Sequence, residues 1–198
     1  MSVLFQKLNP DKKNGNLIND DLIAMLETNI NSDSWYYHGY YEGAEIIFEN
    51  WYSKFNKQDD NIGIDAVIYP VYYCYRQAIE VYIKKILRTQ SGKNPKAIHG
   101  IKELFEEMLT NLNIDKQRSD VVEIIEFVNL IDKEDERFTR FRYDIKLDGT
   151  PQNELEVDLL GMVNGFRMTY ALLEEIWKDK FKNDENFINN HYDRFNGT

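Results

Sequence analysis

The sequence predicts an all-α protein: an up-and-down bundle of about five helices, with a short irregular or hairpin insertion before the last one. Apolar residues recur at three- and four-residue steps over long stretches, Gly92 and Pro95 punctuate the chain after the central one, and a two-residue rhythm replaces the helical period only before the last. The composition agrees, since 42% hydrophobic and 14% aromatic residues supply a core and 29% charged residues keep it soluble. At 198 residues one domain is the default. The expected division is a polar N-terminal arm with a short helix over 1–32, the bundle over 33–182, and a polar C-terminal tail over 183–198.

The first strong helix is expected after Ser34, where Tyr37, Tyr40, Tyr41, Ala44, Ile47, Phe48, Trp51 and Phe55 form one wide stripe. Residues 56–63 read NKQDDNIG, a loop by composition. The second helix, about 64–90, is apolar nearly all round and therefore belongs in the middle. Ile68, Tyr72, Tyr75, Ile79, Ile83 and Leu87 make one of its faces, and Val67, Val71, Cys74, Ala78 and Val81 the next. Pro70 sits within its first two turns, which leaves open an unbroken helix, a kink or a later start. Gly92 and Pro95 end it.

A third helix is expected from about Ile98 to Leu112 and a fourth from about Lys116 to Ile131, with Val121, Ile124, Ile125, Val128 and Ile131 inward. Between about Asp132 and Gln152 a two-residue rhythm replaces the helical one, which gives the insertion its strand character. The last helix, about 154–182, has the cleanest stripe: Leu155, Leu159, Met162, Phe166, Tyr170, Leu173, Trp177 and Phe181. Its length calls for a long partner, the helix of 64–90.

Twenty-four Lys and Arg against 34 Asp and Glu give a net charge of −10, which opposes any general coating of DNA. One cysteine cannot make an intrachain disulfide, and no Cys/His pair has zinc spacing. No stretch is long enough to span a membrane and the N-terminus meets Pro10 and charges too soon for a signal peptide, so a cytoplasmic location is expected. No cofactor and no metal site is expected. The run Asp132 to Arg137 lacks the glycine and spaced oxygens of a calcium loop.

Three groups of residues carry candidate chemistry. On the central helix Arg76, Gln77, Glu80, Lys84 and Arg88 share a stripe. It reads either as a solvated ladder of ion pairs or as a partly buried Arg76–Glu80 pair flanked by Tyr69, Tyr72 and Tyr73, able to hold an anion or act as a base. His99 opens the third helix, where the helix dipole favours a neutral imidazole suited to a base, an acceptor or a cap. The segment Phe138-Thr-Arg140-Phe-Arg142-Tyr143 interleaves cations with aromatics, as in sites that stack bases and hold phosphates, or else anchors a loop.

In order along the chain stand a Tyr-rich helix with Arg76-x-x-x-Glu80, a helix start at His99-Gly-Ile-Lys-Glu-Leu, and Asp132 to Phe138 leading into Phe141-Arg142-Tyr143, followed by a turn and a long helix. Over about residues 35–180 this resembles bacterial HEPN-like helical proteins. The resemblance implies a bundle that dimerises and a role in bacterial or phage conflict: toxin–antitoxin, abortive infection or anti-phage defence. Catalytic relatives are metal-independent ribonucleases with an Arg followed by His after four to six residues, and none of His38, His99 and His191 has an Arg at that distance. Asp144 also stands where the family's Phe-Arg-Tyr segment continues with proline.

The expectation is a binding or regulatory protein, a homodimer with RNA, a nucleotide or a protein as ligand. Its polar cluster would be Arg76, Glu80, Tyr73, Arg140 and Tyr143 together with His99 and Arg142. Two alternatives stand beside it. One is a ribonuclease in which His99 accepts the 2′-OH proton and Arg142 steadies the phosphate across a non-contiguous site. The other is an acidic inhibitor that mimics nucleic acid.

Overall fold

In the computed structural model, residues 33–56, 63–93, 100–135, 141 and 155–181 are described, all within the unit Asp33–Thr198. They form five α-helices and, among the described residues, no strand. These are α1 (Asp33–Phe55), α2 (Ile64–Ser91), α3 (Ile101–Asn111), α4 (Ser119–Glu134) and α5 (Leu159–Lys180). Helix α2 packs against α1, α3 and α5, and α4 packs against α3 and α5. Thus α2, α3, α4 and α5 make a closed circuit of neighbours, and α1 lies along α2. The all-round apolar character of α2 requires this central place, and α5 is its long partner.

Helix α2 runs unbroken through Pro70, which is exposed. It stops at Gly92, whose φ of 68° lets its N–H bond to the Arg88 carbonyl at 2.8 Å. Four other helix ends differ from their expected places, and at two of them local turn chemistry overrides apolar spacing. Asp115 accepts the Gln117 N–H at 2.9 Å in a tight turn, so α4 starts at Ser119 and not at Lys116. Residues 132–134 complete its last turn instead of opening a loop. Asp158 caps the Gly161 N–H at 3.0 Å, so α5 starts at Leu159, and Leu155, placed on the helical stripe by its spacing, is a 38% exposed residue ahead of the helix. Helix α3 starts at Ile101, after Gly100, instead of Ile98. The expected insertion falls mostly on 136–140 and 142–154, and the arm and tail on 1–32 and 183–198, all outside the described residues.

Tyrosine builds much of the core, and a buried phenol needs a partner for its hydroxyl. Tyr37, Tyr72, Tyr75 and Tyr82 are fully buried. Tyr75 donates to Glu45 Oε1 at 2.6 Å, Tyr82 donates to Glu174 at 2.8 Å, and the Tyr170 hydroxyl meets His38 Nδ1 at 2.6 Å. Arg167 of α5 donates from Nε to the same Glu45 at 2.9 Å, which ties α1 to α5 across the tyrosines. Tyr37 stacks on Tyr82, and Tyr41 on Tyr170, each at 3.9 Å between ring centres. Phe55, read as the end of the α1 stripe, is instead 56% exposed.

Candidate functional site

Helix α2 carries two of its charges inward. Steps of four put Arg76, Glu80 and Lys84 on one line, and the crowding of α2 by its neighbours buries the first two. Arg76 is 1% and Glu80 3% exposed. Both are deeper than a solvated ladder or a partly buried pair would be. Arg76 Nη1 donates to Glu80 Oε2 at 2.8 Å, and Lys84 Nζ donates to Glu80 Oε1 at 2.6 Å. The Lys84 side chain keeps 20% of its surface in solvent, so the cluster reaches the surface there.

The fourth charge comes from the end of α4. Asp135, its C-cap, is 2% exposed and lies with Oδ2 3.7 Å from Arg76 Nε. The same Oδ2 accepts the Tyr72 hydroxyl at 2.8 Å. Among the described residues two cations and two anions therefore meet, and such pairing is the condition under which charges persist in an interior. Burial, and then the neighbouring Asp135 charge, raise the Tyr72 pKa well above the ordinary phenol value, so its hydroxyl stays a donor. Phe141 stacks on the Tyr72 ring at 3.9 Å and 25°. Asp132, one turn back, faces elsewhere and accepts the Lys102 N–H at 3.4 Å, at an α3 N-terminus that has no side-chain cap of its own. Asp132 and Asp135 are thus divided between two structural partners, and among the described residues no cluster of metal-ligating side chains exists.

Glu80 is the titratable centre. Burial on its own would raise its pKa, but the bonds from Lys84 and Arg76 outweigh it and hold the carboxyl below the ordinary 4.5. Glu45 behaves the same way, its burial outweighed by the bonds from Arg167 and Tyr75. A group lowered in the folded state stabilises fully above its unfolded pKa, and that contribution fades as pH falls through the folded one. Stability should therefore be steady near neutrality and fall below about pH 4.5. Urea titrations between pH 7 and pH 3 check this, with a Glu80→Gln variant losing less on acidification than the native chain. An unchanged urea midpoint across that range in the native chain would contradict it.

Of the residues named from sequence, the structure brings Arg76 and Glu80 together. Tyr73 stands on the α1 side of α2, its ring edge-on to Tyr40 at 6.3 Å. His99, Arg140, Arg142 and Tyr143 lie outside the described residues. Tyr72, expected to flank the pair, does so through Asp135, the member that sequence reading did not assign to the cluster because its link to α2 spans two distant helices.

Tyr72 also has an outer side. It forms one wall of a half-open cavity of about 320 Å³, bounded by α4, by the start of α5, by Phe141 and by residues 155–158. Phe127, Ile131 and Met162 supply further apolar walls. Phe127 comes this close to α5 because Gly165 lies beneath it, where any Cβ would overlap its ring. The ion cluster fixes Tyr72 from behind and Phe141 covers its face, so charge network and cavity share one wall. Among the described residues no helix is long and apolar enough to cross a membrane. No family model, no curated protein and no solved structure matches the chain.

Proposed function

We propose that the chain is a HEPN-like helical protein with a binding or regulatory role in a bacterial or phage conflict system, working in the cytoplasm as a homodimer or with a protein or RNA partner. One observation carries this reading: Arg76 and Glu80, the Arg-x-x-x-Glu pair of the resemblance, pair in the interior, and Arg76 reaches Asp135, which lies in the segment from Asp132 to Phe138 leading to Phe141-Arg142-Tyr143. Two of the segments on which the resemblance rests thus meet in space.

The chemistry of that meeting supports binding over catalysis. A general base works best with a pKa near the working pH and with a free lone pair. Glu80 is held below the ordinary range and both of its oxygens are taken, one by Arg76 and one by Lys84. A carboxylate so held fixes geometry and is a poor proton acceptor.

Cleavage of labelled RNA in the presence of a chelator tests the reading. The native chain, His99→Ala and Arg142→Ala should all match the protein-free control. Cleavage by the native chain that either substitution abolishes would overturn it in favour of a ribonuclease with a non-contiguous site.

A further inference from the structure

Where α1, α2 and α5 meet, three phenols stand in a row. Tyr41 of α1 stacks on Tyr170 of α5 at 3.9 Å between ring centres, and Tyr170 meets Tyr82 of α2 at 5.5 Å. These are the separations of aromatic rings in or near contact, over which an electron passes readily from one ring to the next. Tyr41, at the outer end of the row, is half-buried, whereas Tyr170 is 7% exposed and Tyr82 fully buried.

Each phenol in the row has a group beside it that can take a proton. Tyr41 bonds to Glu45, Tyr82 donates to Glu174 at 2.8 Å, and the Tyr170 hydroxyl stands 2.6 Å from His38 Nδ1. Burial raises the pKa of all three phenols, so each keeps its proton at neutral pH. A phenol that loses an electron becomes a far stronger acid than any carboxylic acid, and in a dry core it can be oxidised only where a base is in place. A backbone carbonyl would satisfy the hydroxyl but could not accept the proton. Two carboxylates and an imidazole can.

The three acceptors are unequal. An imidazole has an ordinary pKa of about 6.5 against about 4.3 for a glutamate, which makes it the stronger base. Glu45 is weaker still, because the bonds from Arg167 and Tyr75 outweigh its burial and hold its carboxyl below the ordinary value, and Glu174 has Lys178 Nζ at 3.7 Å. With its proton on Nε2, His38 turns the lone pair of Nδ1 to Tyr170. Of the three phenols, Tyr170 has the best place for its proton and lies one ring in from the surface.

We propose that Tyr170 is a one-electron oxidation site, reached through Tyr41 by a diffusible radical oxidant that ends as its anion. Tyr41 gives the oxidant an electron while its hydroxyl proton moves to Glu45. Tyr170 then passes an electron to Tyr41, which takes its proton back from Glu45, and the Tyr170 proton moves to His38 Nδ1. What remains is a phenoxyl radical on Tyr170 beside an imidazolium on His38, shielded from solvent by the bundle. This activity goes beyond the proposed function and does not rest on it.

Pulse radiolysis of the full chain with the azide radical, which is reduced to azide, tests the site through the lifetime of the phenoxyl absorbance. The native chain should show a long-lived component that N-acetyltyrosinamide lacks. Tyr170→Phe, which keeps the ring and its stacking, should remove that component. His38→Gln, which keeps a hydrogen-bond acceptor but offers no base, should shorten it at least about tenfold, the rate scale of one buried hydrogen bond. Tyr52→Phe, outside the row, should leave it unchanged, and circular dichroism confirms that each variant is folded. Three results would overturn the inference: a native radical no longer-lived than that of N-acetyltyrosinamide, a long-lived component that survives Tyr170→Phe, or a native lifetime in His38→Gln. RNA cleavage does not enter this measurement, so it fails or succeeds separately from the proposed function.

Discussion

Arg76→Met should lower the stability of the bundle by about 3–5 kcal/mol, the range for removing one partner from a buried ion pair. The guanidinium is 1% exposed, and its loss takes from Glu80 and from Asp135 a cation that each of them meets in the interior. Glu80 would keep Lys84, and Asp135, 2% exposed, would keep the Tyr72 hydroxyl as a donor but lose the contact with Arg76. Methionine fills similar volume, so the loss is electrostatic and not a packing defect. Arg76→Lys should not rescue it fully, because a single ammonium cannot serve Glu80 through Nη1 and Asp135 through Nε at once. Urea denaturation reads the effect as a lower midpoint with an unchanged slope. A shift equivalent to less than about 1 kcal/mol would mean that the pair behaves like an exposed one.

Phe166→Ala should cost about as much, 3–5 kcal/mol, for a different reason. The ring is fully buried where α5 faces α2 and α4. It stacks on Tyr75 at 5.3 Å and meets Tyr72 and Phe127 edge-on at 5.7 and 5.1 Å. Truncation removes all three aromatic contacts and leaves a void behind two walls of the existing cavity. Phe166→Leu, which refills part of the volume, should recover a good share of the loss. In a thermal melt the alanine variant should fall by on the order of 10 °C. A leucine variant as unstable as the alanine one would indicate that ring geometry outweighs volume.

Much of this fold was legible in the sequence because helix periodicity is a strong signal over long stretches. The all-round apolar α2 and the stripe of α5 predicted a central pair, and the two pack together. Boundaries were less legible. Asp115 and Asp158 compete for backbone N–H groups through their side chains, a short-range effect that apolar spacing does not register. Position on a face was also ambiguous for the charged stripe. Spacing of four unites Arg76, Glu80 and Lys84, but on a helix surrounded by α1, α3 and α5 it does not tell which line of residues points inward.

The candidate site was partly legible for the same reason. Arg76 and Glu80 are neighbours on one helix, so their pairing follows from local geometry. Asp135 stood out only as a member of an acidic run, and its partner lies on another helix; a tertiary contact has no periodicity. Phe127 falls on the flank of the α4 stripe of Val121, Ile124, Val128 and Ile131, and nothing in α4 alone marks it as a cavity wall. The available signal was across the interface, in Gly165, whose missing side chain makes room for the ring. Glu45 and Glu174 were hidden in a similar way, since the phenols they anchor read simply as apolar positions.

Buried Arg76, Glu80 and Asp135 join α2 to the end of α4 and fix the Tyr72 wall of the cavity. A double-mutant cycle between Arg76→Met and Asp135→Leu, read by urea denaturation, tests this link most directly. Each single substitution removes one partner of the Arg76–Asp135 contact and leaves the other in place, whereas the double one removes both. The double variant should therefore be more stable than the sum of the single losses implies, with a coupling of about 1–3 kcal/mol. Additive losses would contradict the claim, because they would mean that Arg76 and Asp135 are buried side by side without depending on each other.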